Sequence, residues 1–250
     1  NDIPVVGMQH GGSYGVQNCH AAHFDLDFNN CDKYITYGFS EDELQRVYPG
    51  RPLNCKIFQA GAIQYHNHKE GAEPIGVLFP FTLAISILEN TRTTPERLAR
   101  CQNEVIDALE ERKDLISYVK PFVGYSINNV SIYHKLLTLR HCRTEVSPLP
   151  MFLSKYKPRL IVLDFPSTPL YECLELDADI FLLYDPVNPF DGHALELLAK
   201  RVHIFAKVKD LVAAIKAYEP DTSPKLRNDE FLNAYVARSN SRQLVRNIIN

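Results

Sequence analysis

The chain has 250 residues, 45% of them apolar and 23% charged, and a net charge of −3. Such a chain can bury one large or two small cores, and its balance is that of an ordinary globular protein. The weak negative charge speaks against a nucleic-acid-binding surface, and no apolar run approaches the ~18–20 residues of a membrane span.

The six cysteines, at positions 19, 31, 55, 101, 142 and 173, contain no CxxC pair and are scattered through the elements. They read as reduced thiols of a cytoplasmic protein. Asn1 stands immediately before an apolar strand, which suggests a piece of a longer chain.

Ile3 to Met8 predicts a strand, followed by Gln9-His10-Gly11-Gly12-Ser13-Tyr14-Gly15. Glycines this dense after a strand let the backbone turn sharply and approach a ligand closely. A tight loop with an incidental histidine is the structural alternative. Next, His20 and His23 with Asp25 and Asp27 have the composition of metal ligands. Ser40 to Glu43 is a capping box opening a short helix, and Cys55 to Gln59 predicts a strand. His66 and His68 fall in a polar, solvated loop.

From Ile75 the pattern becomes regular. Ile75 to Phe79 predicts a strand with Pro80-Phe81-Thr82 as its exit. Thr94 caps a helix with Pro95 in its first turn, and Leu98, Cys101, Val105, Ala108 and Leu109 form one buried stripe. Leu115 to Val119 predicts a strand leaving through Lys120 and Pro121. Ser131 to Leu139 predicts a helix, His141 to Val146 a strand and Pro148 to Tyr156 a helix.

The central stretch runs from Arg159 to Pro189. Leu160 to Leu163 is a short, nearly all-apolar run, the signature of a strand buried on both faces of a parallel sheet. It leads through Asp164, Phe165 and Pro166 to Ser167 and Thr168, either of which can cap a helix with Pro169 in its first turn. Leu170, Leu174 and Leu176 give that helix its apolar side, and Ile180 to Tyr184 predicts the next strand. Turns of this kind, at the carboxyl ends of strands, are where open α/β sheets bind ligands. Asp191 caps a helix through Arg201, Val202 to Ala206 predicts the last strand, and Val208 to Ala217 its helix. Pro220 to Pro224 breaks the chain, and Asn228 to Ile249 predicts one further helix.

The sequence Asp164-Phe-Pro-Ser167-Thr168-Pro-Leu-Tyr-Glu172, followed by Asp-Ile-Phe-Leu-Leu-Tyr-Asp185, resembles the donor-side motif of bacterial GT-B glycosyltransferases. The similarity is to the group of CDP-glycerol glycerophosphotransferases and capsule or O-antigen transferases. The resemblance implies that Ser167 and Thr168 hold the donor phosphates and Glu172 the ribose. Gln9-His10-Gly11-Gly12 with Tyr14-Gly15 resembles the family's histidine–glycine loop, and Asp32 to Phe39 resembles the strand that follows it, an acid before an aromatic-rich strand ending at Gly38. Gly11, Gly12 and Tyr14 are then donor-side residues, and His10 acts as base or phosphate ligand. Thr82, at a strand exit, joins the donor set. So does Lys120, whose place in the family carries a basic residue before a His-Pro pair; here the histidine is absent. Since such enzymes generally work without bound metal, the resemblance favours acceptor contacts over metal binding for His20, His23, Asp25 and Asp27. His10 and Asp25 are the candidate catalytic residues, with no metal and no cofactor beyond the donor itself.

The expectation is therefore an α/β, GT-B-like fold. Residues 1–73 form the C-terminal part of an acceptor-side α/β domain, and 74–220 a Rossmann-like nucleotide-sugar-binding domain. Residues 221–250 form a C-terminal helix packing back across the cleft. The implied function is transfer of a sugar from a nucleotide-sugar to an O-antigen or capsule acceptor, glycan or lipid-linked glycan, with CMP-Kdo among the donors that fit. The resemblance also allows peripheral membrane association through regions outside this sequence. A polyol-phosphate transferase, a sugar-nucleotide epimerase and a non-catalytic nucleotide-binding domain are the alternatives.

Overall fold

In the computed structural model the described residues are 3–12, 14–17, 24–62, 71–82, 94–121, 130–187, 189–223, 225–236 and 241–249. The histidines at 20, 23, 66 and 68 lie outside them. Two parallel sheets organise the chain. The first is three-stranded, in the order β1 (Val6–Met8), β2 (Lys33–Thr36), β3 (Lys56–Gln59). Between its strands come a π-helical turn at Phe24–Phe28 and a helix at Glu41–Val47. The helix starts at the expected capping box: Glu43 N donates to Ser40 Oγ at 3.2 Å and Ser40 N to Glu43 Oε2 at 2.7 Å.

The second sheet has six strands: β4 (Glu73–Pro80), β5 (Ser117–Lys120), β6 (Arg143–Thr144), β7 (Tyr156–Leu163), β8 (Asp179–Leu183) and β9 (His203–Phe205). Their spatial order is β6-β5-β4-β7-β8-β9, and every pairing is parallel. This is the doubly wound Rossmann order, with its reversal between β4 and β7. Side-chain alternation divides β7 between two cores. Ile161 and Leu163 join the core shared with the first unit, while Leu160 and Val162 pack beneath the helices Pro95–Glu111 and Val208–Ala217.

The two units share one continuous core. Tyr14, Phe28 and Phe39 of the first belong to the same buried cluster as Leu170, Tyr171, Tyr184 and Phe190 of the second. The last helices pack on the first unit. A Cβ at Gly38 would lie 2.2 Å from Ala234 O, Ala62 N donates to Val236 O at 2.7 Å, and Val245 is buried with Ile35 and Ala60.

Three expectations are corrected. The strand at 141–146 shrinks to Arg143–Thr144, both exposed at the sheet edge. The helix at 148–156 ends at Leu153, and Tyr156 already belongs to β7. That strand runs through Pro158 because β8 joins it only from Leu160, so the missing proline N–H faces no partner there. The single helix at 228–249 is instead two, Glu230–Tyr235 and Ser241–Ile249. Among the described residues no helix is long and apolar enough to cross a membrane.

Candidate functional site

The reversal between β4 and β7 leaves a crevice at their carboxyl ends, where Thr82 and Asp164 stand side by side. Thr82 N donates to Asp164 at 3.0 Å from each carboxylate oxygen. Gln102, buried on the Pro95–Glu111 helix, donates its Nε2 to Asp164 Oδ2 at 2.6 Å and to Thr82 O at 2.8 Å. Burial raises Asp164 to about 6, against the lowering effect of those hydrogen bonds. The carboxylate thus fastens one strand exit to the other. The sequence reading does not single out Gln102. Its signal was there: a polar side chain within the stripe that Leu98, Val105 and Leu109 make apolar.

Thr82 Oγ1 lies 3.4 Å from Ser167 Oγ. Ser167 is the N-cap of the helix Thr168–Cys173 by backbone position, yet its hydroxyl makes no capping bond. That helix has six residues, too short for a strong macrodipole, so the hydroxyls are the polar groups it offers an anion.

The glycine loop comes to this same helix start. Gly12 N lies 3.4 Å from Thr168 Oγ1, a contact between residues 156 positions apart. A Cβ at Gly12 would sit 2.2 Å from the Tyr171 ring, so only glycine lets the loop approach so closely. Gln9 braces the loop from beneath, donating to Gly11 O and accepting from Tyr37 N, both at 2.8 Å. Gly15, at φ +70, turns the chain over the Phe39 ring. His10 is exposed, and its Nε2 lies 2.7 Å from the hydroxyl of buried Tyr14.

Glu172, one turn into the central helix, is pushed up to about 7 by burial, with Lys120 opposing. Lys120 is itself buried and lowered by desolvation, against Glu145 and Glu172. Tyr37 is raised by burial and then by Glu172. Glu172 therefore interacts electrostatically with both a buried cation and a tyrosine, on the same short helix that Ser167 and Thr168 open.

Asp25 is not brought to this group. Its carboxylate is exposed and bonded by Arg51 at 2.8 Å, an ion pair on the π-helical turn. On the other flank of the crevice a cavity of about 470 Å³ opens between Thr82, Asp164, Phe165 and the first turns of Pro95–Glu111 and Val208–Ala217. Arg97 and Asp185 pair beside it at 3.0 Å.

The family model described as LIC12162 family transferase matches residues 1–205. The chain belongs to that family of transferases. No curated protein sequence matches it. Among solved structures it is similar to a putative UDP-N-acetylglucosamine 2-epimerase from Listeria monocytogenes, with TM-score 0.50 and 12% identity over 87% of this chain and 59% of that one. It is also similar to TarM (TM-score 0.49, 12% identity, 98% of this chain and 46% of that one). The wall teichoic acid polymerase TagF is a third (TM-score 0.48, 15% identity, 100% of this chain and 62% of that one). The chain thus spans 46–62% of the length of these structures. The fold is α/β and GT-B-like: a Rossmann-ordered sheet facing a second parallel unit.

Proposed function

We propose that this family member is a glycosyltransferase, moving a sugar from a nucleotide-sugar donor to a surface-polysaccharide acceptor of O-antigen or capsule type. CMP-Kdo is one donor consistent with the reading. The observation that carries it is the meeting of the His10-Gly11-Gly12 loop with Thr82, Ser167 and Thr168 at the sheet's switch point. Chemistry of this kind breaks the bond between the anomeric carbon and the donor phosphate while an acceptor hydroxyl attacks and loses its proton. The leaving phosphate needs hydrogen-bond donors and positive charge, which Ser167, Thr168 and Lys120 supply. Glu172 holds the ribose, and His10 acts as proton acceptor or phosphate ligand. The acceptor is a glycan or lipid-linked glycan, and the donor is the only small molecule the reaction needs.

The test is calorimetric titration with UDP, CDP, GDP and CMP, followed by the donors they carry. Replacing Ser167 and Thr168 together by alanine weakens nucleotide binding by about 1–3 kcal/mol, the cost of lost charge-assisted hydrogen bonds. Unchanged affinity in that variant rejects the site. Slow release of nucleotide from one donor supports transfer, an isomerised sugar supports the epimerase alternative, and binding without turnover supports a non-catalytic domain.

A further inference from the structure

Tyr14 is a donor-side residue by resemblance, but its hydroxyl is engaged elsewhere. It lies 2.7 Å from Nε2 of His10, and the two rings meet edge to face with centroids 5.3 Å apart. Tyr14 is 4% exposed, set edge-on against Phe28 in the core that joins the two units. An exposed histidine on a glycine loop is thus tied to a fixed point of the protein interior, and among the described residues its Nδ1 has no hydrogen-bond partner.

We propose that Tyr14 is a positioning residue that holds neutral His10 with its proton on Nδ1. His10 then serves the transfer as a hydrogen-bond donor to the donor phosphate rather than as the base that deprotonates the acceptor. Two physical arguments give the direction of the bond. An imidazole nitrogen lone pair is a far stronger acceptor than a phenol oxygen, and a phenol O–H is a stronger acid than a neutral imidazole N–H. The 2.7 Å separation is also the usual length for an O–H donor, whereas N–H donors centre near 2.9–3.0 Å. With Nε2 accepting from Tyr14, the neutral ring must carry its hydrogen on Nδ1. That N–H belongs to the loop whose Gly12 amide contacts Thr168, which puts the histidine on the loop that meets the candidate phosphate hydroxyls. On protonation the tyrosine hydroxyl turns from donor to acceptor, and the ring keeps its place and its Nδ1–H. In either state Nδ1 offers a proton-bearing donor and no lone pair.

The catalytic consequence rests on the transferase reading; the tautomer does not. The intact protein, labelled with ¹⁵N in its histidine rings, is measured at a pH high enough to leave imidazole neutral. The His10 signals are assigned by their loss in His10→Gln. In the unsubstituted protein His10 shows a protonated Nδ1 and a bare Nε2. In Tyr14→Phe, which keeps the buried ring and loses one oxygen, the ring reverts to the Nε2–H form that imidazole prefers in water. Turnover with the donor found by titration falls roughly tenfold in Tyr14→Phe, the size of one lost hydrogen bond. Adding Tyr14→Phe to His10→Gln costs little more. A proton on Nε2 in the unsubstituted protein overturns the inference, and so does an unchanged tautomer in a Tyr14→Phe variant that melts like its parent. The expected tautomers in a protein that turns over no nucleotide-sugar uphold the Tyr14–His10 arrangement and reject the transferase reading instead.

Discussion

Gln102 Nε2 stands 2.6 Å from Asp164 Oδ2, joining the long helix after β4 to the end of β7 across the switch point. The bond is buried, and the same nitrogen reaches Thr82 O. A carboxylate placed there without donors would be costly; Thr82 N and Gln102 Nε2 supply them. Together the three residues fix the separation of the two strand exits, and with it the position of Thr82 Oγ1 opposite Ser167 Oγ.

Asp164→Asn should therefore act on stability more than on chemistry. Burial raises Asp164 from 3.8 to about 6, so the folded protein binds this proton more tightly than the unfolded chain. The resulting stabilisation is complete below pH ~4 and is lost as pH rises through about 6, amounting to roughly 3 kcal/mol. Asparagine cannot titrate, and its amide group faces the Gln102 donor. The variant should melt lower than the parent, with a gap wider at pH 4.5 than at pH 8, and turnover per folded molecule should stay nearly intact. A large loss of turnover with unchanged melting would show that Asp164 acts in the chemistry.

Gln102→Leu should give the opposite pH dependence. Leucine suits the helix stripe, but its loss of the amide leaves Thr82 O and Asp164 Oδ2 short of a donor, at about 1–3 kcal/mol. Removing a hydrogen bond that lowers Asp164 raises that group further. Ionising it then costs more, so the stability deficit should widen from pH 4.5 to pH 8. Equal deficits at both pH values would mean that Gln102 does not support the carboxylate.

The central strands were legible in the sequence because burial on both faces leaves an almost pure apolar run, as at Leu160–Leu163. Arg143–Thr144, exposed at the edge, carries no such run, so its limits were invisible. The candidate site is legible only as residue type: a histidine among glycines, and hydroxyls after a strand. Their meeting is not, since the contact of Gly12 with Thr168 spans 156 positions and no local pattern encodes it. Gln102 is invisible to periodicity, which registers only the apolar residues of a stripe. Asp25 stands out in the sequence only through its neighbours, and its contact with Arg51 depends on the fold alone.

Gly12→Ala tests whether the glycine loop must sit on the central helix. The added methyl would meet the Tyr171 ring at 2.2 Å, in a core where little can yield. Overpacking of this kind costs about 1–3 kcal/mol and should push the loop away from Thr168. Thermal melting should fall, nucleotide affinity should weaken, and Tyr171→Leu in the same chain should restore part of both. Normal melting and affinity in Gly12→Ala would mean that the close approach is dispensable.

The decisive substitutions are at His10. The residue is exposed on a loop braced by Gln9, so few core contacts depend on its side chain and folding should be little affected. His10→Ala should lose on the order of 10²-fold or more in turnover, the usual cost of removing a proton-transfer group or a preorganised donor. His10→Gln separates these roles, because an amide can donate a hydrogen bond to phosphate but cannot shuttle a proton. With Tyr14 holding Nε2, the glutamine variant should keep substantial activity where alanine has almost none, and the difference should lie in turnover rather than in melting. Equal loss in both variants would assign His10 to proton transfer. Near-parental turnover in His10→Ala would leave the histidine only the task of ordering its loop.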